Sequence, residues 1–258
     1  MLLVADAGNT ETTLGLFDGE RLVAQWRLTT DTPRTPDELT FALRALLSAQ
    51  GVAPGAVTGC AIGSVVPGFT STLEEACAAA TGAPVKIIDG MTKLPITLDV
   101  EEPASVGADR ILNTLAASRL FKRDSIVVDF GTATTFDCIT GDGVFLGGVI
   151  SPGIRTSAET LFRRTAQLSA TELRAPKSVI GRRTDEAIRS GVVLGAVEQV
   201  EGLVRRIREA WPRKDSIPMV VATGGLAAQI APLCPSIERV VPELTLVGLR
   251  LAFEGLEG

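Results

Sequence analysis

Apolar and polar residues follow the same pattern at two places in the chain. The apolar run 2–5 ends in Asp6 and the apolar run 126–128 ends in Asp129, with a glycine two residues after each aspartate. In each copy two further stretches of strand character follow around a turn rich in Gly and Asp: 13–17 and 21–28, then 135–140 and 144–150. Short turns of this kind join neighbouring strands. The pattern therefore predicts a three-stranded β-meander at the start of each half.

Helical periodicity and short apolar strands follow both meanders. The predicted helices cover residues 36–50, 70–80, 156–168 and 184–211, and the predicted strands cover 59–65, 85–88 and 219–222. Both halves share the order β-β-β-α-β-α-β, which predicts an α/β protein of two duplicated domains with mixed sheets that face one another across a ligand cleft. A charged stretch at 122–124 precedes the second meander, so the boundary is expected near residues 118–124, between domains 1–120 and 121–258.

Composition narrows the class of protein. With 258 residues, of which 45% are apolar, the chain is long enough for a full core. A net charge of −5 without a run of Lys and Arg argues against a nucleic-acid partner. Asp6 interrupts the apolar N-terminus and no later segment reaches spanning length, so no membrane segment is expected. Four scattered cysteines without a CxxC pair predict a reduced, cytoplasmic protein.

The sequence contains neither histidine nor tyrosine. This excludes a Ser-His-Asp triad, a histidine phosphorelay and a His-ligated metal site, so proton transfer falls to carboxylates, Lys or Cys. A strand that ends in Asp-x-Gly offers such a carboxylate beside a backbone that a phosphate can approach closely. A single copy is equally well explained as an ordinary strand-ending turn, whereas two matched copies favour two phosphate loops.

A third glycine element, Thr223-Gly224-Gly225-Leu226, follows the predicted strand 219–222. Gly-Gly before a helix is also an ordinary tight turn, and taken alone this is the better interpretation. Its position after two candidate phosphate loops favours a nucleoside-binding role, because glycines let a flat base or ribose lie against the chain.

Four blocks of the sequence resemble the signature of the type III pantothenate kinase family, in the family's order and across nearly the whole chain. They are Asp6-Ala7-Gly8-Asn9-Thr10, Gly107-Ala108-Asp109-Arg110, Asp129-Phe130-Gly131-Thr132-Ala133-Thr134-Thr135 and Thr223-Gly224-Gly225-Leu226. Ser151-Pro152-Gly153-Ile154 is similar to the family as well. The resemblance implies two ribonuclease-H-like, actin-like ATPase domains flanking a nucleotide cleft. It also implies transfer of the ATP γ-phosphoryl group to the primary hydroxyl of pantothenate, the first step of coenzyme A biosynthesis.

The resemblance implies a role for each matching residue, with ATP, Mg²⁺ and a monovalent cation, K⁺ or NH₄⁺, as cofactors. Asp109 is expected to be the catalytic base and Asp129 to bind the monovalent cation, while Asp6 holds Mg²⁺ through water. The ATP-binding residues implied are Asp6, Ala7, Gly8, Asn9, Thr10, Glu11, Thr12, Thr13 and Thr132. The pantothenate-binding residues implied are Val100, Gly107, Ala108, Asp109, Arg110 and Thr184. A homodimer is expected, with neither nucleic acid nor membrane as a partner.

Several of these residues also have purely structural explanations. Ser105 is a predicted N-cap, so Asp109 also fits as a carboxylate that complements a helix N-terminus. Thr184 fits as the N-cap of the helix that follows it, Arg110 as a surface salt-bridge partner, and Asp129 as a strand-end carboxylate satisfied by backbone amides. Capping and substrate contact do not exclude each other.

One position departs from the family, because Val100 stands where the family has an aromatic residue, which implies a wider or looser acceptor pocket. Two other functions stay open at this point. A non-catalytic relative would bind nucleotide as a regulator or accessory factor, and the joint presence of Asp6, Asp109 and Asp129 argues against it. A related kinase would phosphorylate a sugar or acetate, and the block 107–110 together with Thr184 favours pantothenate instead.

Overall fold

The computed structural model describes residues 1–30, 34–53, 55–164 and 172–256. They form two units, Met1–Arg119 with Leu244–Gly258, and Leu120–Glu243. The strands are β1 (Leu2–Ala7), β2 (Glu11–Asp18), β3 (Arg21–Thr29), β4 (Gly59–Ser64), β5 (Val85–Ile88), β6 (Thr97–Leu98), β7 (Ser125–Phe130), β8 (Ala133–Ile139), β9 (Val144–Pro152), β10 (Met219–Thr223) and β11 (Arg239–Val240). The α-helices are α1 (Pro36–Ala49), α2 (Pro67–Thr81), α3 (Ala108–Phe121), α4 (Ile154–Arg164), α5 (Thr184–Arg189), α6 (Gly195–Ala210), α7 (Ala227–Ile230) and α8 (Leu244–Gly255).

The first unit is built on a mixed sheet with the strand order β3-β2-β1-β4-β5. β1, β2 and β3 form the predicted antiparallel meander. β4 and β5 extend the sheet from β1 in parallel, each after one of the helices α1 and α2. The predicted β-β-β-α-β-α-β order is therefore confirmed in this half.

Helices cover both faces of the first sheet, which explains why β1 reads as a continuous apolar run. Leu3 and Ala5 lie on one face and pack in a buried cluster with Leu43 of α1 and Leu73 of α2. Val4 lies on the opposite face and packs in a second cluster with buried leucines of α3 and α8. The alternation of strand side chains thus divides one apolar run between two cores.

The C-terminal helix α8 belongs to the first unit, although it is the last helix in the chain. Its backbone approaches α3 closely, since a Cβ at Gly248 would overlap the carbonyl oxygen of Leu112. Thr245 Oγ1 donates a hydrogen bond of 2.9 Å to Asn113 Oδ1. The units therefore differ from the continuous ranges 1–120 and 121–258 that the sequence predicted, because the chain returns to the first sheet to cover its apolar face.

The second unit repeats the arrangement of the first. β7, β8 and β9 form an antiparallel meander, β10 lies parallel to β7, and β11 lies parallel to β10. Ile126 and Val128 of β7 pack with Val197 and Val204 of α6 in the buried core of this unit. The duplicated α/β architecture predicted from the two Asp-x-Gly patterns is therefore confirmed.

The helix predictions are confirmed where the structure describes them. Residues 36–50 and 70–80 correspond to α1 and α2, and the predicted helix 184–211 consists of α5, a π-helical segment Ser190–Leu194 and α6. Residues 165–168 of the helix predicted over 156–168 lie outside the described residues. None of the described helices is both long and apolar enough to cross a bilayer.

Two predicted helix caps are wrong. Ser105 ends a 3₁₀ turn, Pro103–Ser105, and its Oγ donates to the Glu102 carbonyl oxygen at 2.8 Å, while α3 begins at Ala108. Thr184 is the first residue of α5 instead of its N-cap, and the N-cap residue Arg183 makes no side-chain capping bond. In both cases the hydroxyl residue lies close to the helix start without serving as its cap.

Candidate active site

The first predicted phosphate loop is the hairpin that joins β1 to β2. Asp6, near the end of β1, stands opposite Thr13 in antiparallel register and is half-buried. Gly8 N donates a hydrogen bond of 3.1 Å to the Glu11 carbonyl oxygen and closes the turn. The carboxylate of Asp6 therefore belongs to a buried strand that leads directly into a tight loop, as the sequence predicted.

The other residues of this loop divide into buried supports and an exposed tip. Ala7 and Thr12 are buried, and Thr12 Oγ1 hydrogen-bonds to Thr30 Oγ1 at 2.7 Å. Asn9 and Thr10 are exposed. The sheet thus holds the base of the loop, and the tip offers polar groups to a ligand.

The first loop lies beside the carboxyl end of β4. Asp6 pairs with Gly63 in parallel register, and Val65 N donates a hydrogen bond of 3.1 Å to the Ala7 carbonyl oxygen. Neighbouring parallel strands present their carboxyl ends at the same edge of a sheet, where ligands of α/β proteins commonly bind. This edge is therefore a candidate binding surface within the first unit.

The Gly107-Ala108-Asp109-Arg110 block starts α3 over the same edge. A Cβ at Gly107 would lie 3.4 Å from Val65 Cγ1, and a Cβ at Gly63 would lie 2.7 Å from Leu112 Cδ1. β4 and α3 can approach this closely only because residue 63 has no side chain. The structure thus brings the first loop and this block, which are far apart in sequence, to one end of the first sheet.

Asp109 lies in the first turn of α3 and is half-buried. Its Oδ1 accepts a hydrogen bond of 2.9 Å from Arg110 N. Burial raises the pKa of the Asp109 carboxyl above its usual range, and the hydrogen bond from Arg110 and the charge of its side chain offset only part of this effect. A raised pKa brings a carboxylate closer to the basicity that proton abstraction near neutral pH requires.

The remaining predicted acceptor residues occupy different local environments. Ala108 is buried at the start of α3, and Arg110 is half-buried next to Asp109. Val100 is half-buried in the segment between β6 and the 3₁₀ turn. Thr184 is an exposed residue of the second unit. Within the first unit, therefore, Asp109 and its immediate neighbours are the acceptor residues that share an edge with the first loop.

The strand ends of the second unit hold Asp129 on β7 opposite Thr223 on β10, in parallel register. Gly224 follows with a φ of +88°, and a Cβ there would overlap Asp129 Oδ1 and lie 2.8 Å from Phe130 N. Leu226 N donates a hydrogen bond of 3.3 Å to the Phe130 carbonyl oxygen. The third glycine element therefore packs directly against Asp129 and leaves room for its carboxylate.

The second predicted phosphate loop, Gly131-Thr132, joins β7 to β8, and both residues are exposed. Gly131 N donates to the Ala133 carbonyl oxygen at 3.1 Å. The Thr132 carbonyl oxygen accepts two hydrogen bonds, from Gly153 N at 3.1 Å and from Thr156 Oγ1 at 2.7 Å. The loop is thus tied to the point where β9 ends and α4 begins.

Sequence reasoning missed three residues that shape these strand ends. Gly63 lies inside a predicted buried strand, and nothing in the sequence indicates that its missing side chain admits α3. Gly153 belongs to a stretch that resembles the family, which is a signal that could have singled it out. No pattern in the sequence points to Thr156, because its partner is a backbone carbonyl group.

Among the described residues, no group of three or more His, Cys, Asp or Glu side chains is arranged to hold a metal ion. Magnesium is usually held by one or two carboxylates together with water and substrate phosphates, instead of an all-protein cage. The half-buried Asp6 supplies one such carboxylate, beside the exposed polar tip of the first loop. The donor set at this loop therefore fits magnesium held with the help of a phosphate ligand.

Comparison with known sequences identifies a family. Residues 2–206 match the model of the family described as type III pantothenate kinase. A type III pantothenate kinase of Thermomicrobium roseum is 46% identical over 254 residues, which are 98% of this chain and 97% of that protein. A type III pantothenate kinase of Acidothermus cellulolyticus is 45% identical over 255 residues, 98% of each protein.

Solved structures share the fold at low sequence identity. A Campylobacter jejuni protein described as a Baf family transcriptional activator has a TM-score of 0.61 and 18% identity, covering 99% of this chain and 98% of that one. The ROK hexokinase of Thermus thermophilus has a TM-score of 0.50 and 17% identity, covering 100% of this chain and 99% of that one. Since one name denotes a regulator and the other a kinase, the fold alone does not distinguish these functions.

Proposed function

This chain belongs to the type III pantothenate kinase family and phosphorylates pantothenate with ATP, in the first step of coenzyme A biosynthesis, and we propose that Asp109 is the base of this reaction. Phosphoryl transfer depends mainly on positioning and charge stabilisation, so the principal proton-transfer task is to accept the proton of the attacking hydroxyl. The observation that carries the proposal is the position of Asp109, which lies at the same sheet edge as the first loop. Burial also raises the pKa of its carboxyl group.

The steps of the reaction divide among residues of this chain. We assign the ATP phosphates to residues 6–13 and Thr132; Asn9 and Thr10, at the tip of the first loop, are exposed. The primary hydroxyl oxygen of pantothenate attacks the γ-phosphorus, its proton passes to the Asp109 carboxylate, and the bond from the γ-phosphorus to the bridging oxygen breaks to release ADP. Asp6 would hold Mg²⁺, which would supply positive charge to the phosphate oxygens.

The acceptor pocket is assigned to Val100, Gly107, Ala108, Arg110 and Thr184. Arg110 suits the carboxylate of pantothenate, because a half-buried guanidinium group forms charge-assisted hydrogen bonds with a planar anion. The N-terminal end of α3 favours the same negative charge.

The monovalent cation, K⁺ or NH₄⁺, is assigned to Asp129. Its half-buried carboxylate stands at a strand end beside Gly224, where a cation can lie close to the backbone. Replacement of potassium by sodium in the assay buffer is expected to lower turnover, and a turnover independent of the monovalent cation would contradict this assignment.

We also assign the protein to the cytoplasm and to a homodimer. Cys60, Cys77, Cys138 and Cys234 are all free thiols, which suits a reducing compartment. The dimer is an expectation from the family, and multi-angle light scattering on the purified chain tests it directly. A monomer at assay concentrations would contradict the homodimer assignment.

The catalytic role of Asp109 is tested by ADP release with pantothenate, for the intact protein and Asp109→Asn. Loss of the base should lower kcat by about 100- to 10,000-fold, while nucleotide binding persists. The matched control is Asp37→Asn, since Asp37 is also in the first turn of a helix but is exposed on α1. Its turnover should equal that of the intact protein.

Parallel assays with glucose and acetate separate the competing functions. Turnover with pantothenate alone supports the assigned acceptor. ADP release with glucose or acetate but not pantothenate would indicate another kinase of the superfamily, and nucleotide binding without ADP release would indicate an accessory protein. Equal loss of turnover in the Asp109→Asn and Asp37→Asn variants would mean that Asp109 only stabilises its helix.

A further inference from the structure

The carbonyl group of Thr132 is held by two donors from one short segment of the second unit. Gly153 N donates to it at 3.1 Å, and Thr156 Oγ1 donates to it at 2.7 Å. Both residues lie where β9 gives way to α4. A carbonyl oxygen has two lone pairs, so these two bonds satisfy its full accepting capacity.

The same segment lies against the loop without space between them. A Cβ at Gly153 would overlap the Thr132 carbonyl oxygen and lie 2.6 Å from the Gly131 carbonyl oxygen. Ser151 Oγ donates a further hydrogen bond of 3.1 Å to the Thr134 carbonyl oxygen, on the other side of the loop. The second loop is therefore fixed by contacts from outside its own hairpin.

We propose that Thr156 is a positioning residue for ATP binding, acting through Thr132. Its hydroxyl fixes the direction of the Thr132 carbonyl group and hence the peptide plane between Thr132 and Ala133. A loop held in its binding geometry loses less freedom when the phosphates arrive. This inference rests on the proposed contact between Thr132 and the ATP phosphates.

A purely structural role would be different. A hydroxyl that only stabilises α4 would affect the melting temperature without changing nucleotide affinity. Thr160 makes that kind of bond, since its Oγ1 donates to the Thr156 carbonyl oxygen at 2.8 Å within α4. Thr160 therefore provides a matched control on the same helix, with the same side chain and a bond of similar length.

The experiment compares Thr156→Val, Thr156→Ser, Thr160→Val and Thr132→Val with the intact protein. We expect Thr156→Val to raise the KM for ATP and the Kd of an ATP analogue by about two- to tenfold, the range of one net hydrogen bond. The KM for pantothenate should stay unchanged. Thr156→Ser keeps the hydroxyl and should restore ATP affinity, and Thr160→Val should bind ATP like the intact protein. Thr156→Ala provides a second hydroxyl deletion if the valine variant is unstable.

Two results would overturn the inference, and each differs from failure of the proposed site. Unchanged ATP affinity in Thr156→Val, with weakened affinity in Thr132→Val, would show that Thr132 acts without this support. Equal weakening in Thr156→Val and Thr160→Val would assign the effect to the stability of α4. Unchanged ATP affinity in Thr132→Val would instead contradict the proposed role of Thr132 in ATP binding. The role of Thr156, which rests on it, would then be contradicted as well.

Discussion

The two Asp-x-Gly strand ends share a sequence pattern but are supported in different ways. In the first unit, Asp6 leads into a hairpin that closes on itself through Gly8 and Glu11, with an exposed tip. In the second unit, the carbonyl group of Thr132 is held from β9 and α4, and Gly224 packs on Asp129. A repeated pattern therefore specifies the strand and turn, while the neighbours of each loop determine how rigidly it is held.

The neighbours also differ in chemistry. The edge of the first sheet carries the start of α3, with Asp109, whose pKa burial raises. The corresponding edge of the second sheet carries the glycine element that follows β10. Duplication thus provides two similar platforms, and we expect substitutions at the two edges to have different consequences.

The largest combined effect on stability and turnover is expected from Gly224→Ala. The new Cβ would overlap the Asp129 carboxylate and crowd the backbone of Phe130, at a φ of +88° that costs a non-glycine residue about 1–3 kcal/mol. We expect a lower melting temperature and loss of most cation-stimulated turnover. Gly202→Ala, on α6 of the same unit, is the matched control, because a Cβ at this glycine would contact nothing within 4 Å. Equal behaviour of the two variants would contradict the assigned packing.

A smaller combined effect is expected from Gly107→Ala in the first unit, because this substitution should lower turnover but hardly change stability. The new Cβ would lie 2.5 Å from Asp109 Oδ1, and a side chain can move aside where a backbone cannot. Displacement of the base by about 1 Å can lower turnover by about 100-fold, so kcat should fall while the melting temperature changes little. Gly68→Ala, on α2 with no atom within 4 Å of its Cβ, should leave kcat unchanged. A normal kcat in Gly107→Ala would argue against a fixed position for the Asp109 carboxylate.

The smallest effect on turnover is expected at Asp124, which provides a contrast with Asp109. Asp124 accepts hydrogen bonds from Gly141 N at 2.9 Å, Trp211 Nε1 at 2.9 Å and Arg213 Nη1 at 3.4 Å. Burial raises the pKa of Asp124, but the hydrogen bonds and the charge of Arg213 outweigh it, so the pKa is lowered overall. The folded state therefore favours the ionised form of Asp124 and disfavours that of Asp109.

These opposite shifts predict opposite dependences of stability on pH. The contribution of Asp124 is fully present above its unfolded pKa of about 3.9 and is lost as the pH falls through its lower folded pKa. Asp124→Asn should lower the free energy of unfolding by about 1–3 kcal/mol at neutral pH, and by less in acid. Asp109→Asn should leave stability equal or higher at neutral pH, because the penalty for its charge is present only when it is ionised. Thermal unfolding of both variants from pH 3 to pH 8 tests this, and parallel curves for the two would contradict it.

Much of the fold could be predicted because it depends on local patterns. The meanders, α1, α2 and the strand ends with Asp6 and Asp129 follow from apolar runs, turn residues and helical periodicity, which act over a few neighbouring residues. The caps at Ser105 and Thr184 could not be placed, since several hydroxyl residues near a helix start can serve as its cap. Residues that act through contacts with segments distant in sequence, such as Gly63 against the Leu112 side chain and Thr156 on the Thr132 carbonyl group, leave no periodic signal.

The sequence by itself determined the duplicated α/β order, the absence of histidine chemistry and the blocks that identify the family, because each is a property of consecutive residues or of composition. Only the tertiary structure decided which blocks meet. It joined Asp109 to the edge that carries Asp6, packed Gly224 on Asp129, and returned α8 to the first unit. These arrangements depend on close packing between segments far apart in the chain, where the size of one side chain or the direction of one carbonyl group is decisive.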